Sequence, residues 1–281
     1  MKVLITGANG QLGKALSLVF KDAVIADRET LDISYLESIS NFDFEGIEAI
    51  INAGAYTQVD DAQKPENLNL AWGANSQGPA NLVTIAAKLN TPLVHFSTDY
   101  VFNGTKQGAY TEQDLFSPIS VYGASKAAGD LAIMCYPKYY IFRASWVIGD
   151  GHNFIKIMQS LAEKGINPRV VNDQFGRLTF CDTIAEAIKF ALENNLAFGT
   201  YNLTNSGDVV SWFDIARETF KLSGADPERV SPVSTKDYYA GKEFIAPRPH
   251  NSELSLRKIE EAGFKLEDWR VKLSEYLKGV N

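Results

Sequence analysis

The sequence contains little cysteine and little histidine. Its only cysteines, Cys135 and Cys181, lie in apolar segments without a Cys-x-x-Cys spacing. A disulfide framework is therefore excluded as an organising principle, which fits a reducing compartment. The three histidines, His95, His152 and His250, are far apart, and none pairs with a cysteine or carboxylate at a metal-ligand spacing. We predict no metal site.

Long apolar runs and blocks of one charge are also missing. No segment approaches the ~18 consecutive apolar residues of a membrane span, and no charged leader precedes an apolar stretch at Met1. The net charge of -7 is spread along the sequence, without a cluster of Lys and Arg interleaved with aromatic residues. We therefore expect a cytoplasmic enzyme that binds neither nucleic acid nor membrane.

The sequence does have enough apolar residues for a sizeable core. Of its 281 residues, 45% are hydrophobic and 22% are charged, which allows one large domain or two unequal lobes. Short apolar runs predict strands over 2–6, 23–26, 48–52, 91–97 and 139–144. Apolar residues at helical spacing predict a helix after the first strand, one over 65–89 and one around 125–134. This alternation predicts an α/β fold with a Rossmann-type, doubly wound parallel sheet.

The alternation weakens after Trp146. Val170 and Val171, a helix over 183–192 and a strand over 200–203 suggest that the chain returns to the sheet. We expect a dinucleotide-binding domain over 1–145, with 170–204 returning to it, and a smaller, interleaved substrate-binding lobe over 146–169 and 205–281. Because ligands of open parallel sheets bind at the carboxyl edge, a lobe packed there would close a cleft.

A glycine-rich segment follows the first predicted strand and opens a helix. Glycines at a strand–helix turn allow a tight bend, close approach of backbone N–H groups to a pyrophosphate, and close helix–strand packing. The wide Gly-x-x-Gly-x-x-Gly spacing is typical of short-chain dehydrogenases; the alternative is a plain strand–helix turn. The segment predicted to bind a dinucleotide comprises Gly7, Asn9, Gly10, Gln11, Leu12 and Gly13.

Charged residues after the second predicted strand bear on the choice of cofactor. Asp27 stands about twenty residues after the glycine turn, where an acid accepts hydrogen bonds from the adenosine ribose of NAD. The next residue, Arg28, could instead hold the 2′-phosphate of NADP, so both NADH and NADPH remain open. Asp32 and Ile33 either border the adenine or are a surface acid and a core residue.

Tyr122 and Lys126 lie four residues apart on a predicted helix, which places them on one helix face. A neighbouring ammonium favours phenolate, so we expect it to lower the pKa of the tyrosine and make the phenol a better proton donor near neutral pH. Thr98 ends a predicted strand at the carboxyl edge, where its hydroxyl can hydrogen-bond a substrate carbonyl. Together the three residues predict a site that polarises a ketone and protonates the alkoxide as hydride arrives.

Several segments resemble a known family along essentially the whole chain. They read Asn-Ala-Gly-Ala-Tyr-Thr at 52–57 with Val-Asp at 59–60, Ser-Thr-Asp-Tyr-Val-Phe at 97–102, Tyr-Gly-Ala-Ser-Lys at 122–126, Arg-Ala-Ser-Trp at 143–146, Val-Asn-Asp-Gln-Phe-Gly at 171–176, Ser-Trp at 211–212 and Arg-Pro-His-Asn-Ser at 248–252. With the glycine turn, these segments resemble the dTDP-4-dehydrorhamnose reductases, which are extended short-chain dehydrogenases.

The resemblance implies NAD(P)H-dependent reduction of the C4 keto group of a nucleotide-linked deoxysugar, converting dTDP-4-dehydro-L-rhamnose to dTDP-L-rhamnose. It assigns catalysis to Thr98, Tyr122 and Lys126, with Lys126 also holding the nicotinamide ribose. It further implies that Ala53, Gly54 and Ala55 bind cofactor, that Asp99, Tyr100 and Trp146 line the sugar site, and that Asn153 and Arg248 meet the diphosphate. Structural alternatives are core packing for Trp146, a turn cap for Asp99 and a surface loop charge for Arg248.

One position departs from the family. Some members carry a carboxylate two positions after the third glycine that contributes to a metal site between subunits, whereas this chain has Lys14 and Ala15 there. The sequence therefore gives no support to that metal or to that form of homodimer.

Two other functions compete with a reductase. A nucleotide-sugar dehydratase or epimerase would share the glycine turn and the triad, but related dehydratases have glutamate where this chain has Tyr100. A non-catalytic regulatory subunit is the second, since the beta subunit of methionine adenosyltransferase resembles the same reductases. The intact set of Thr98, Tyr122 and Lys126 favours an enzyme.

Overall fold

Six parallel strands form the central sheet of the computed structural model, which describes residues 1–279. Counted in chain order, and including six short strands outside the central sheet, the strands of residues 1–279 are β1 Val3–Thr6, β2 Val24–Ala26, β3 Ala49–Asn52, β4 Leu93–Thr98, β5 Tyr139–Ala144, β6 Val147–Ile148, β7 Arg169–Val171, β8 Phe175–Gly176, β9 Thr179–Phe180, β10 Gly199–Asn202, β11 Val210–Ser211 and β12 Ser231–Val233. The central sheet has the order β10-β5-β4-β3-β1-β2. The predicted Rossmann-type α/β fold is confirmed.

Helices connect and cover these strands. They are α1 Gln11–Val19, α2 Leu36–Asn41, α3 Leu68–Trp72, α4 Gly78–Leu89, α5 Val121–Met134, α6 Phe154–Glu163, α7 Cys181–Glu193, α8 Trp212–Leu222, α9 Thr235–Tyr238, α10 Arg257–Glu261 and α11 Trp269–Lys278. Within residues 1–279, no helix combines the length and apolar character needed to cross a bilayer.

Both faces of the central sheet are covered. On β1, Val3 and Ile5 pack with Leu16 of α1 on one face, and Leu4 packs with Leu82 of α4 on the other. Since both faces are buried, the strand is a continuous apolar run rather than an alternating one.

The strand order reverses at β1, which has β2 on one side and β3 on the other. The chain turns at Gly7 directly after β1 and at Ala53 directly after β3. Both turns therefore lie at the carboxyl edge beside the switch in strand order, where open α/β sheets bind their ligands.

The second half of the chain partly returns to the sheet. Helix α7 packs on α1, and β10 pairs with β5, as the sequence predicted. The prediction that Val170 and Val171 return there was wrong, because β7 pairs with β12 in a separate two-stranded sheet. Val170 packs with Phe220 of α8, so the same short apolar run serves the smaller core. The domain boundaries stay a prediction.

Candidate active site

A cleft of about 910 Å³ runs along the carboxyl edge of the central sheet. Its walls include nearly all the sequence-predicted cofactor and catalytic residues, and three of the five predicted sugar and diphosphate residues. Those present are Gly7, Asn9, Gly10, Gln11, Leu12, Asp27, Arg28, Asp32, Ile33, Ala53, Gly54, Ala55, Thr98, Asp99, Tyr100, Tyr122, Lys126 and Trp146. The fold thus gathers segments that are more than a hundred residues apart.

The glycine turn needs each of its three glycines for a different reason. Gly7 has a φ of +69°, and a Cβ there would lie 2.5 Å from the amide nitrogen of Gly54. Gly13 is buried in α1, where a Cβ would lie 2.3 Å from the carbonyl oxygen of Gly7. Gly10 precedes α1, and a Cβ on it would meet only that same oxygen, at 3.3 Å.

The space above Gly10 is therefore open to the cleft at the start of a helix. Backbone N–H groups at such a helix start favour a phosphate anion, so the turn fits the pyrophosphate of a nicotinamide dinucleotide. A side chain at Gly10 would fill this cradle.

Asp27 follows β2 and lines the cleft beside the glycine turn. Its Oδ2 accepts a hydrogen bond of 2.9 Å from Asn9 Nδ2, and backbone and side-chain hydrogen bonds from Thr30 lower its pKa. Arg28 is mostly exposed and forms a 3.1 Å ion pair with Asp32. The cleft therefore offers a carboxylate for ribose hydroxyls and, beside it, a guanidinium already paired with an acid.

Helix α5 is fixed against the end of β4. Ser120 caps the helix by accepting a 3.1 Å hydrogen bond from the backbone N–H of Gly123. A Cβ on Gly123 would lie 2.2 Å from the carbonyl oxygen of Tyr100, so glycine lets the first helical turn pack on the turn after β4. This contact brings the rings of Tyr100 and Tyr122 together, with their centroids 5.4 Å apart.

Burial raises the pKa of Tyr122, and the nearby Thr98 hydroxyl opposes this effect. The prediction of a lowered phenol pKa was therefore wrong. The ring is out of water, and the Lys126 ammonium is itself desolvated: burial lowers the pKa of Lys126 to about 8, although Asp130 acts in the opposite direction. Lys126 Nζ donates a 2.6 Å hydrogen bond to the carbonyl oxygen of Phe96. A raised pKa keeps Tyr122 protonated at neutral pH, as a proton donor requires.

Asp99 is buried between the end of β4 and a segment far along the chain. It accepts hydrogen bonds from Thr98 Oγ1 at 3.0 Å and from Ser252 Oγ at 2.5 Å. Burial raises the pKa of Asp99 to about 6, while the hydrogen bonds from Ser252 and Thr98 limit the rise. Sequence reasoning included Ser252 in a matching segment and did not assign it to the site.

Two tryptophans form one wall of the cleft. Trp146 has a φ of +50°, and its ring stacks on Trp212 with centroids 3.9 Å apart and planes 19° from parallel. A Cβ on Gly176 would lie 2.9 Å from the Trp146 ring, so glycine there makes room for it. Sequence reasoning missed Trp212 as a cleft residue, although Ser-Trp at 211–212 was one of the matching segments.

The cleft wall does not include Asn153 and Arg248, and their contact with a diphosphate stays a prediction. Asn153 caps α6, and its Nδ2 donates hydrogen bonds to Gly149 O and Tyr276 Oη, both at 2.8 Å. Arg248 binds Asp60 through two hydrogen bonds of 2.9 and 2.8 Å. The polar groups of both side chains are thus engaged by the protein.

Among residues 1–279, no three His, Cys, Asp or Glu side chains gather as a metal would require. Near the position where some family members carry a metal-binding carboxylate, this chain has Lys14, whose Nζ lies 3.5 Å from Asp150 Oδ2. The expectation of no metal stays a prediction.

The fold and the cleft together define an oxidoreductase of the short-chain dehydrogenase type. The family model described as the RmlD substrate binding domain matches residues 1–281, and the chain belongs to that family. It is 37% identical to the dTDP-4-dehydrorhamnose reductase of Aggregatibacter actinomycetemcomitans, in a match that covers 96% of each chain. The resemblance noted in the sequence is confirmed.

Two solved structures share the entire fold. The dTDP-4-dehydrorhamnose reductase of Clostridium acetobutylicum has a TM-score of 0.91 and 35% identity, covering 100% of this chain and 99% of that one. The enzyme of the same name from Bacillus anthracis, solved in complex with NADP, has a TM-score of 0.90 and 33% identity, covering 99% of both chains.

Proposed function

We propose that the chain reduces the C4 keto group of dTDP-4-dehydro-L-rhamnose, with NADPH or NADH as reductant, and forms dTDP-L-rhamnose. One observation carries the proposal: Thr98, Tyr122 and Lys126 line the same cleft as the glycine turn. Relatives named for this reaction match nearly the whole length of the chain. We expect the reaction to run in the cytoplasm.

Each catalytic residue has a task that suits its surroundings. The bound nicotinamide supplies the hydride. Tyr122, whose pKa is raised by burial, holds its proton until the C4 oxygen gains negative charge and then donates it. Thr98 orients the carbonyl when its hydroxyl, which donates to Asp99 in the structure, turns toward the C4 oxygen. Lys126 carries a positive charge below about pH 8, where its pKa lies.

The sugar is assigned to the part of the cleft that contains Asp99, Tyr100 and Trp146. The buried Asp99 carboxylate accepts hydrogen bonds from hydroxyl groups, as it does from Ser252. The stacked face of Trp146 offers an apolar surface to the ring carbons of a deoxysugar.

A dehydratase function has a specific observation against it. The position where related dehydratases carry a glutamate base is Tyr100 in this chain, and burial raises the pKa of its phenol. A phenol that stays protonated cannot abstract a proton beside the carbonyl.

We propose that both cofactors serve. Asp27 is placed to accept hydrogen bonds from a ribose, and Arg28 beside it can hold a 2′-phosphate when it leaves Asp32. Replacing Asp27 with alanine should therefore shift the preference toward NADPH, measured as the ratio of kcat/KM for the two cofactors. A wild-type preference for NADPH above about a hundredfold, or ~2.7 kcal/mol, would show that Arg28 dominates.

The test of the function is a substrate survey. Purified protein is mixed with NADH or NADPH and with dTDP-4-dehydro-L-rhamnose or other nucleotide 4-ketosugars, and cofactor oxidation is followed by absorbance. Oxidation that requires the 4-ketosugar, with dTDP-L-rhamnose as product, is the expected result. Cofactor that binds but is never oxidised, for any of these sugars, would favour a non-catalytic partner role.

A further inference from the structure

A cluster of buried polar side chains lies beneath Lys126, outside the predicted set of catalytic residues. His95 comes from β4, Asp130 from α5 and Arg143 from β5, and all three side chains are fully buried. The sequence predicted that His95, like the other two histidines, is structural or faces the substrate. The contacts of its ring show what it does.

The hydrogen bonds of Asn52 determine which ring nitrogen of His95 carries a proton. Asn52 Oδ1 accepts hydrogen bonds from Thr6 Oγ1 at 2.8 Å and from the backbone N–H of Gly54 at 3.1 Å. Its amide therefore cannot be turned around, and Asn52 Nδ2 must face His95 Nδ1, 3.0 Å away. Burial and the nearby Lys126 charge hold the pKa of His95 well below its usual range, so the ring is neutral. Nδ1 accepts, and the single ring hydrogen is on Nε2.

This Nε2–H faces two groups of different character. Lys126 Nζ is 3.3 Å away and Asp130 Oδ1 is 3.7 Å away. Asp130 Oδ2 is held by Ser97 at 2.8 Å and Arg143 at 3.2 Å, whereas Asp130 Oδ1 has no hydrogen-bond partner among the described residues. An N–H and an ammonium repel each other, so the short contact with Lys126 becomes favourable only when that amine is neutral and offers its lone pair.

We propose that His95 is a positioning residue for Lys126: its Nε2–H donates to the Lys126 amine when the amine is neutral and turns toward the Asp130 carboxylate when Lys126 carries its proton. Asp130 favours the charged lysine, and His95 favours the neutral one. The pair therefore adjusts the pH at which Lys126 changes state. The catalytic consequence rests on the proposed function, while the tautomer and its response to Lys126 do not.

The groups that can influence this balance come from every element around Lys126. Asp130 on α5 acts on Lys126 directly and is paired with Arg143 on β5, and His95 comes from β4. Tyr122 on α5 and Asp99, in the turn after β4, line the same cleft as Lys126. Arg143 is charged, and its guanidinium is held by Asp130. Among these groups, only His95 presents an N–H to the Lys126 amine without carrying a charge.

The first experiment needs no turnover. The chain has only three histidines, so ¹⁵N-labelled imidazole signals can be assigned by the loss of one signal in a His95 variant. We expect the Nε2–H tautomer of His95 at pH 6, and a shift of its ring nitrogens with a midpoint near pH 8, the pKa of Lys126. Lys126→Met should abolish that shift. An Nδ1–H ring, a charged ring at pH 6 or a response that survives in Lys126→Met would overturn the proposal, whether or not the protein is a reductase.

The second experiment compares two amides at position 95. Gln places its terminal amide near the position of Nε2 and can keep a hydrogen-bond donor to Lys126. Asn is shorter, so its amide reaches only the position of Nδ1, which faces Asn52, and the donor to Lys126 is lost. The high-pH limb of kcat/KM for ketone reduction should move up by about one pH unit in His95→Asn, the effect of one hydrogen bond, and stay near its original position in His95→Gln. In Asp130→Asn the limb should move to lower pH.

The control is Thr219→Val, at a buried site in α8 whose hydroxyl bonds only within its own helix, to Ile215 O. It should lower the melting temperature without moving the limb. If His95→Asn is folded and only its melting temperature changes, His95 has a structural role and the proposal fails. If no variant or wild-type protein turns over, the proposed function fails instead, and the imidazole signals still decide the tautomer.

Discussion

At the scale of single residues, Tyr122 is the group whose loss should matter most for catalysis. Tyr122→Phe keeps the aromatic packing on Tyr100 and removes the proton donor. We expect kcat to fall by about 10²–10⁴-fold with little change in cofactor affinity. Stopped-flow reduction rates and a cofactor titration measure the two quantities separately. A folded Tyr122→Phe protein that binds cofactor and reduces the sugar at the wild-type rate would assign the proton to another group.

Asp99 should make stability depend on pH in a distinctive way. Its pKa is about 6 in the folded protein against 3.8 for the ordinary carboxyl group, so the folded state holds more protons between these values. Stability contributed by the protonated acid is present below about pH 4 and is lost as the pH rises through 6. This difference corresponds to about 3 kcal/mol.

Asp99→Asn removes this titration. The free energy of unfolding of the variant relative to wild type should therefore rise by about 2 kcal/mol between pH 4 and pH 7, most of the full difference. Urea unfolding at the two pH values gives this difference, and subtraction removes the effects of other carboxylates. A constant difference across that range would show that Asp99 is not desolvated in the folded protein.

A site residue could be predicted from the sequence when its partner lies close to it along the chain. Tyr122 and Lys126 are four residues apart on one helix, so a local pattern predicts them. The contact of Asp99 with Ser252 joins residues 153 positions apart, and local periodicity carries no information about such a pair. The pKa of Tyr122 was predicted in the wrong direction because spacing reveals a nearby cation but not how deeply both groups are buried.

At the scale of elements, the start of α5 depends on the absence of a side chain at position 123. Gly123→Ala would place a Cβ 2.2 Å from the Tyr100 carbonyl oxygen, so the helix must shift away from the turn after β4. We expect a loss of about 1–3 kcal/mol in stability and a lower kcat, because Tyr122 moves with the helix. Thermal unfolding and steady-state rates test both.

Gly73→Ala is the matched control, since its Cβ would come no closer than 3.5 Å to Ser34. It should retain both stability and rate more fully than Gly123→Ala. Equal effects of the two substitutions would show that the packing of α5 on Tyr100 has no special importance.

Elements were predicted best where packing agrees with local periodicity. The strand over 139–144 matches β5 at both ends. The helix predicted over 65–89 is in fact a 3-10 turn, α3, a π-helical turn at Gly73–Gln77 and α4. Asn75 in the π-turn binds the backbone of Tyr56 and the side chain of Ser125, which are contacts with distant segments that an apolar pattern does not contain.

At the scale of the whole molecule, cofactor binding should stabilise the fold. Dinucleotide at a hundred times its Kd adds about 2.7 kcal/mol to the free energy of unfolding, so the melting temperature should rise by several degrees. Gly10→Val fills the cradle above the helix start and should abolish this rise. Differential scanning fluorimetry with and without NADPH measures the effect. A folded Gly10→Val protein that keeps its affinity for both cofactors would show that the pyrophosphate binds elsewhere.

The sequence predicted the parallel sheet because its strands and helices alternate, but not where the chain leaves the sheet. Val170 and Val171 look like any short buried strand, and only the position of β12 and α8, which follow them in the sequence, determines that they pair outside it. A pattern along the chain identifies an element, whereas its partner depends on the three-dimensional arrangement.

The order of the strands along the chain also determines which parts of the cleft are synthesised first. Five of the six strands of the central sheet, β1 to β5, are complete at Ala144, together with the glycine turn, Tyr122 and Lys126. Trp212 and Ser252 leave the ribosome later, so a nascent chain can pair these strands before the second tryptophan of the cleft wall and the partner of Asp99 exist. The part of the cleft that we assign to the cofactor is thus translated first, and the part that we assign to the sugar is finished last.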